Sequence, residues 1–343
     1  MIREALSGFL QEWYENGKGP ERIYRSGKAF DKEAWSGFSH DLGMVGVAIS
    51  EDFGGSGLDD LGRVVVMEEL GASLCAIPFL TTGGQVVDII SKIATTQFKK
   101  EYLPRIARGE IQGVFSSGHV GREKKCINSP NADTADFILI SRLKNKLIEV
   151  VYLDASAPGL KINSKKTMDP TRSFCDVDWS KVSDTDFLLI GTVELDFFED
   201  IISQSQIALA AECIGGAQKC LDMTLEYASQ RVQFGRSIAS FQAIKHRCAD
   251  MFILIEAAKS AVYAAAVATE VEKTEAVLIA KAYATEAYFK VAGDAIQLHG
   301  GIGFTWEYPL HLFFKRARAN RTMFGVPSED YKLLADSILG DKS

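Results

Sequence analysis

Two short segments of this chain carry the residue types that hold an anionic ligand. Arg231-Val232-Gln233-Phe234-Gly235 offers a guanidinium, an aromatic face and a glycine within five residues. Gln297-Leu298-His299-Gly300-Gly301 adds an amide and two glycines where a helical run ends. A guanidinium donates several N–H groups in a fixed fork and glycine lets the backbone come close, which is what gripping a pyrophosphate requires. The five histidines lack metal-ligand spacing, so no metal is expected. The six cysteines (Cys75, Cys126, Cys175, Cys213, Cys220, Cys248) form no CxxC pair and sit among apolar neighbours, as buried free thiols do.

Long helices must position these segments. Residues 201–230, 240–272 and 274–298 read as nearly uninterrupted helix, rich in alanine and leucine-like residues. A fourth helix at 328–339, with Ser328 as its N-cap and Glu329 and Asp330 at its positive end, completes a four-helix bundle. Upstream, 2–111 is helical with breaks at 17–20, at Gly54-Gly55-Ser56-Gly57 and near Pro78. Asp31 can cap a short helix that ends at Gly43. Between 113 and 197 the periodicity turns towards β, with short branched or aromatic runs at 137–140, 147–153 and 187–190. The expected fold is mainly α with a small β middle domain: helical 1–112, β 113–197 and a helical bundle 198–343.

At 343 residues there is ample apolar material for two or three structural units. A net charge of −7 argues against nucleic acid as the main partner. The amino terminus has neither a signal-peptide apolar core nor a small-residue cleavage site. The best apolar run, 257–268, is short and contains Lys259, so no membrane insertion is expected and a cytoplasmic location is.

Over most of its length the chain resembles the flavin-dependent acyl-CoA dehydrogenases. Leu42-Gly43, Gly46, Glu51, Phe53, the 54–57 glycine cluster and Glu68-Glu69-Leu70-Gly71 follow the order of that family's amino-terminal helical domain. The segment 98–117, with Leu103-Pro104 and Gly109-Glu110, is similar to the helix that leads into its middle domain. RVQFG at 231–235, QLHGGIG at 297–303 and FTWEYP at 304–309 match its carboxy-terminal half at the family's spacing. The resemblance implies an oxidoreductase of lipid metabolism that uses FAD. It also implies that Arg231, Phe234, Gln297 and Gly301 reach across a subunit interface to the adenine and pyrophosphate of a neighbour's FAD. Glu307 is expected to be a structural ion-pair partner.

Two departures narrow the expectation. The family's middle domain carries Thr/Ser-Glu-Pro-x-x-Gly-Ser-Asp to hold the flavin ring and thioester, whereas this chain has 116–123, SSGHVGRE, and a shortened β unit. Dehydrogenation also needs a carboxylate to take the α-proton. The family places that glutamate either in a turn before the last helix, where this chain has Phe324, or near the start of the first long bundle helix, where it has Ser205 and Gln206. Glu212 lies about two turns beyond Ser205, roughly 10 Å along the axis, too far to replace it.

The resemblance therefore implies one subunit of a heteromeric acyl-CoA dehydrogenase, most like the shortened subunit of the heterotetrameric steroid side-chain type. A homologous partner would supply the catalytic glutamate and the flavin-ring contacts. Its substrate would be an acyl-CoA, possibly one with a bulky sterol side chain, and electron-transfer flavoprotein would accept the electrons. Two alternatives remain open at this point: a non-catalytic structural or regulatory homologue, and a family member with altered flavin chemistry.

Overall fold

The computed structural model describes residues 2–20, 22, 29–117 and 124–340. The chain divides into two compact units, one comprising Met1–Arg22, Val64–Cys75 and Gln206–Ser343, the other Ile23–Arg63 and Ala76–Ser205.

The first unit is helical apart from one small hairpin. Its frame is α7 (Ile207–Gln230), α8 (Gln242–Ala266) and α9 (Lys273–His299), three mutually packed long helices, with α10 (Leu310–Asn320) and α11 (Pro327–Leu339) laid against α9. Alanine at 280, 284, 287, 292 and 295 keeps the buried faces of α9 thin, so neighbouring helices pack close. Two further helices join this unit: α1 (Ile2–Trp13) and the 64–73 portion of α3 (Asp59–Ser73). Where α3 crosses α7, each presents a glycine. A Cβ on Gly71 would stand 2.1 Å from the Glu212 carbonyl oxygen, and one on Gly215 would stand 1.8 Å from that of Glu68. Arg3 of α1 is held there by Glu68 and Glu69, with the Tyr263 hydroxyl donating to Glu68 at 2.7 Å.

In the second unit Asp31 caps α2 (Lys32–Ser36), accepting from the N–H groups of Glu33 and Ala34, and Gly43 follows in the left-handed region as expected. Residues 79–93 form α4, α-helical at both ends with a buried π turn at Thr82–Val86, and α5 (Thr96–Ala107) follows. Seven strands then build two sheets. β1 (Gly113–Ser117), β3 (Phe137–Lys144), β4 (Leu147–Asp154) and β7 (Leu188–Glu194) lie in the order β1-β3-β4-β7, with β1 and β3 parallel and the rest antiparallel. β2 (Lys125–Pro130), β6 (Phe174–Asp178) and β5 (Lys161–Lys165) make the second, antiparallel sheet.

β3 is buried on both faces. Ile138 and Ile140 join Val151, Leu153, Cys175, Val177 and Trp179 in the β core, while Phe137 stacks on Tyr152 at 5.2 Å. The unit closes with α6 (Leu195–Ser205). Residues 118–123 of the SSGHVGRE segment lie outside the described residues. Ser116 and Ser117 fall on β1, where the Ser116 hydroxyl meets that of Ser129 at 3.1 Å.

The expectation of a mainly helical fold with a small β part and a carboxy-terminal bundle is met. Three expected helix bounds differ: the run 201–230 divides at Gln206 into α6 and α7, the run 240–272 stays helical only to Ala266, and α11 begins at Pro327 with Val326 as N-cap, so Ser328 is not the cap. Proline at the first helical position has no N–H to satisfy, and the Glu329 carboxylate reaches back to accept from the Val326 N–H at 3.2 Å. All six cysteines are free, five of them buried. Among the described residues no helix is long and apolar enough to cross a membrane.

Candidate functional site

Helix α7 ends where Arg231 leaves helical geometry at φ −72°, ψ 120°, its N–H still bound to the Tyr227 carbonyl at 2.9 Å. The chain then makes a two-residue hairpin, β8 (Val232–Gln233) against β9 (Arg236–Ser237), with Phe234 and Gly235 as its turn at φ +53° and +75°. Two consecutive left-handed residues are the type I′ signature, which asparagine and glycine favour and phenylalanine does not. Holding Phe234 there costs about 1–2 kcal/mol. Its ring is nonetheless 93% exposed, touching Phe241 edge-on at 6.2 Å. The Arg231 side chain is also exposed and has no ion pair or hydrogen bond among the described residues.

The second segment follows α9. Gln297 is exposed on its last turn, and Gly300 at φ +64°, ψ −141° turns the chain into a 3-10 segment, Gly300–Phe304. Only glycine suits that backbone. Gly301 is different: its φ is not left-handed and an added Cβ would meet nothing within 4 Å. The chain's own packing therefore does not require glycine at 301. α7 and α9 pack side by side, and a stack between Tyr227 and His299, ring centres 4.4 Å apart, joins the hairpin to the turn. The four expected residues thus gather at one end of the helical unit as two neighbouring loops. Glu307, expected to form an ion pair, is exposed and makes none among the described residues.

Both positions where a base was sought are occupied by groups that cannot take a proton from carbon. Phe324 is half-buried at φ +59°. Beneath its turn lies Lys281, wholly buried, whose Nζ donates to the carbonyls of Phe324 at 3.0 Å and Gly325 at 3.1 Å and pairs with Asp330 at 2.9 Å. Burial pushes the Asp330 carboxyl up and the ammonium pulls it back. Asp330 is therefore the counter-ion of a buried lysine, a role that helix capping alone did not suggest. Ser205 is buried, its hydroxyl donating to the Ile202 carbonyl at 2.7 Å. Glu212 is buried as well, bound by Arg316 and by the Asn320 amide at 3.2 Å. None of these carboxylates is free for chemistry.

Sequence reasoning missed Lys281, although a signal was present. It sits on the apolar stripe of α9 between Val277 and Thr285, where a charge is tolerated when paired. It also missed the histidines. Burial lowers the pKa of His299, and burial together with Lys315 takes His311 down to about 4.

Two family models match the chain: acyl-CoA dehydrogenase, N-terminal domain, over residues 1–110, and acyl-CoA dehydrogenase, C-terminal domain, over 196–337. The chain is 32% identical to the acyl-CoA dehydrogenase IpdE2 of Mycolicibacterium smegmatis across 98% of each protein. Among solved structures it is similar to the ChsE4-ChsE5 complex from Mycobacterium tuberculosis, with TM-score 0.87, 22% identity and 100% and 98% of the two chains covered. It is also similar to a variant of the steroid ACAD Tcur3481-Tcur3483, with TM-score 0.84, 24% identity and 98% of each chain covered.

Proposed function

The chain belongs to the acyl-CoA dehydrogenase family, and from that membership we propose that it is the base-free subunit of a heteromeric FAD-dependent enzyme. Arg231, Phe234, Gln297 and Gly301 of this chain complete the FAD site of a homologous partner, and the partner brings the glutamate that removes the α-proton of an acyl-CoA. When bound, FAD supplies the acceptor for the hydride lost from the β-carbon.

The donor set fits the cofactor. Arg231 is a delocalised cation with no ion pair among the described residues, suited to a pyrophosphate. Gln297 adds an exposed amide, Phe234 a flat face for a purine, and Gly301 an open approach to backbone N–H groups. The observation that carries the reading is Phe234. Among the described residues the ring's one aromatic contact is the edge-on approach to Phe241, so a bulky side chain held at φ +53° and 93% exposed is left available to a partner's ligand.

The two base positions support the same division of labour. Phe324 sits on a turn clamped by Lys281, and the Ser205 hydroxyl is committed to a carbonyl. The chain offers no acceptor for a carbon-bound proton at either position, so that step falls to the partner. The structural relatives include two that are named as pairs, one of them a steroid ACAD. A bulky steroid-type CoA thioester, a heterotetramer, electron-transfer flavoprotein as acceptor, a cytoplasmic location and the division 1–112, 113–197 and 198–343 go with this reading.

Co-expression with a homologous subunit that carries the glutamate tests it. The expected result is flavin absorbance and acyl-CoA-dependent dye reduction in the co-purified complex, with neither in this chain alone. A colourless homo-oligomer that ignores every such partner would overturn the proposal.

A further inference from the structure

Tyr227, His299 and Tyr308 form a three-ring stack in the helical unit that the role assigned to Arg231, Phe234, Gln297 and Gly301 does not use. His299 is the last residue of α9 and is buried. Its ring lies nearly parallel to Tyr227, 4.4 Å between centres and 21° between planes, and Tyr308 covers it at 5.0 Å. Nδ1 stands 2.7 Å from the Ala295 carbonyl oxygen and Nε2 stands 3.3 Å from the Tyr308 hydroxyl. A carbonyl can only accept, so Nδ1 carries the proton. In the neutral ring Nε2 is then the acceptor, and the Tyr308 hydroxyl donates to it. Both nitrogens are satisfied without charge, which is how a histidine comes to be buried at low cost.

His299 adjoins both halves of the proposed site. On one side it precedes Gly300, and the turn folds back so that a Cβ on Gly303 would stand 3.2 Å from the His299 Cβ. On the other side it rests on Tyr227, whose carbonyl accepts the Arg231 N–H at 2.9 Å. The hairpin is tied to the same helix end by the Ser237 hydroxyl, which donates to the Ala228 carbonyl at 2.8 Å.

We propose that His299 is a positioning residue that pins the 297–301 turn to the 231–235 hairpin, so that Arg231, Gln297 and the Gly301 backbone meet one pyrophosphate pre-set. The proposal rests on the FAD reading above. The gain is one of preorganisation: two loops held in one geometry lose little freedom when the anion arrives. The groups facing the stack are Tyr227 and Glu226 on α7, the Met223 and Ala295 carbonyls, Tyr308 and Tyr14. Burial holds the His299 pKa below 6.5, so the ring is neutral at neutral pH. Acid puts a second proton on Nε2; the Tyr308 hydroxyl and the Met223 carbonyl can accept from it, but the charge is placed in a buried stack, and that desolvation loosens the pin as pH falls below 6.5.

The test uses the reconstituted complex with its partner and two variants. His299→Phe keeps a ring in the stack and removes both nitrogen contacts, while Tyr308→Phe removes the hydroxyl alone. FAD affinity is read from flavin fluorescence, and the stability of this chain without flavin is read from its melting temperature. The expected result is a weakening of FAD binding of about tenfold in His299→Phe and about threefold in Tyr308→Phe, the scale of one or two neutral hydrogen bonds. Wild type is expected to lose FAD affinity below pH 6.5, and His299→Phe should flatten that loss. An unchanged Kd in His299→Phe, or a raised Kd with the wild-type pH profile, overturns the proposal. Arg231→Ala measured alongside separates the two levels. If it weakens FAD binding and His299→Phe does not, the pin alone is wrong; if neither does, the shared site is wrong too.

Discussion

Replacing Lys281 by methionine removes an ammonium that is fully buried and leaves the Asp330 carboxylate, 5% exposed, together with the Phe324 and Gly325 carbonyls, without their donor. Stripping one partner from a buried ion pair costs about 3–5 kcal/mol, because the remaining charge stays desolvated. For a unit of this size each kcal/mol moves the melting temperature by about 2–4 °C, so the drop should be roughly 6–20 °C. The loss should depend on pH in a definite direction. Without the lysine, burial holds the Asp330 carboxyl further above its ordinary 3.8. The unfolded chain ionises that carboxyl freely above about pH 4 while the folded variant resists, so the penalty grows with rising pH and shrinks in acid. Thermal unfolding followed by circular dichroism at about pH 7.5 and pH 4.5, variant against wild type, reads both effects. The double variant Lys281→Met with Asp330→Leu should recover part of the loss, since both charges are then gone. A cost below about 1 kcal/mol, or a deficit equal at the two pH values, would refute the clamp on the 324–325 turn.

Three other outcomes follow from the same structure. Phe234→Asn relieves a phenylalanine at φ +53°, so this chain alone should melt higher by about 1 kcal/mol equivalent while the complex binds FAD more weakly, both measurable by melting and fluorescence titration. His311, held down to about 4 against 6.5 when unfolded, contributes stability that is whole above about pH 6.5 and lost as pH falls towards 4; His311→Gln should flatten the melting temperature over that window. Gly215→Ala places a Cβ 1.8 Å from the Glu68 carbonyl oxygen and should cost at least about 3 kcal/mol in denaturant unfolding, whereas Gly301→Ala, facing open space, should stay within about 0.5 kcal/mol.

What could be read from the sequence divides along physical lines. Helix length and alanine content gave the bundle, because those signals are local and repeat for seven turns in α9 alone. Asp31 was legible as a cap because its partners are two and three residues away. Among the strands, 137–140, 147–153 and 187–190 stood out by their apolar runs. β5, Lys161–Lys165, did not, since all but one of its residues are exposed and polar residues dominate it. α10 was overlooked behind the turn-like FTWEYP that precedes it. At the site, residue types pointed to Arg231, Phe234, Gln297 and Gly301, but the conformation that makes Phe234 informative is invisible in sequence. The Lys281 clamp joins positions 49 residues apart, and the pin runs from Tyr227 to Tyr308; such contacts exist only once the helices pack.

The central claim is that this chain lends its outward-facing guanidinium to a flavin whose base lies elsewhere. Arg231→Ala in the co-purified complex tests it directly, with the flavin-to-protein ratio after gel filtration as the readout. Losing charge-assisted hydrogen bonds worth about 1.5–3 kcal/mol should weaken FAD binding by about 10- to 150-fold and bleach the complex while leaving it assembled. A complex that keeps its full complement of FAD without Arg231 would contradict the account.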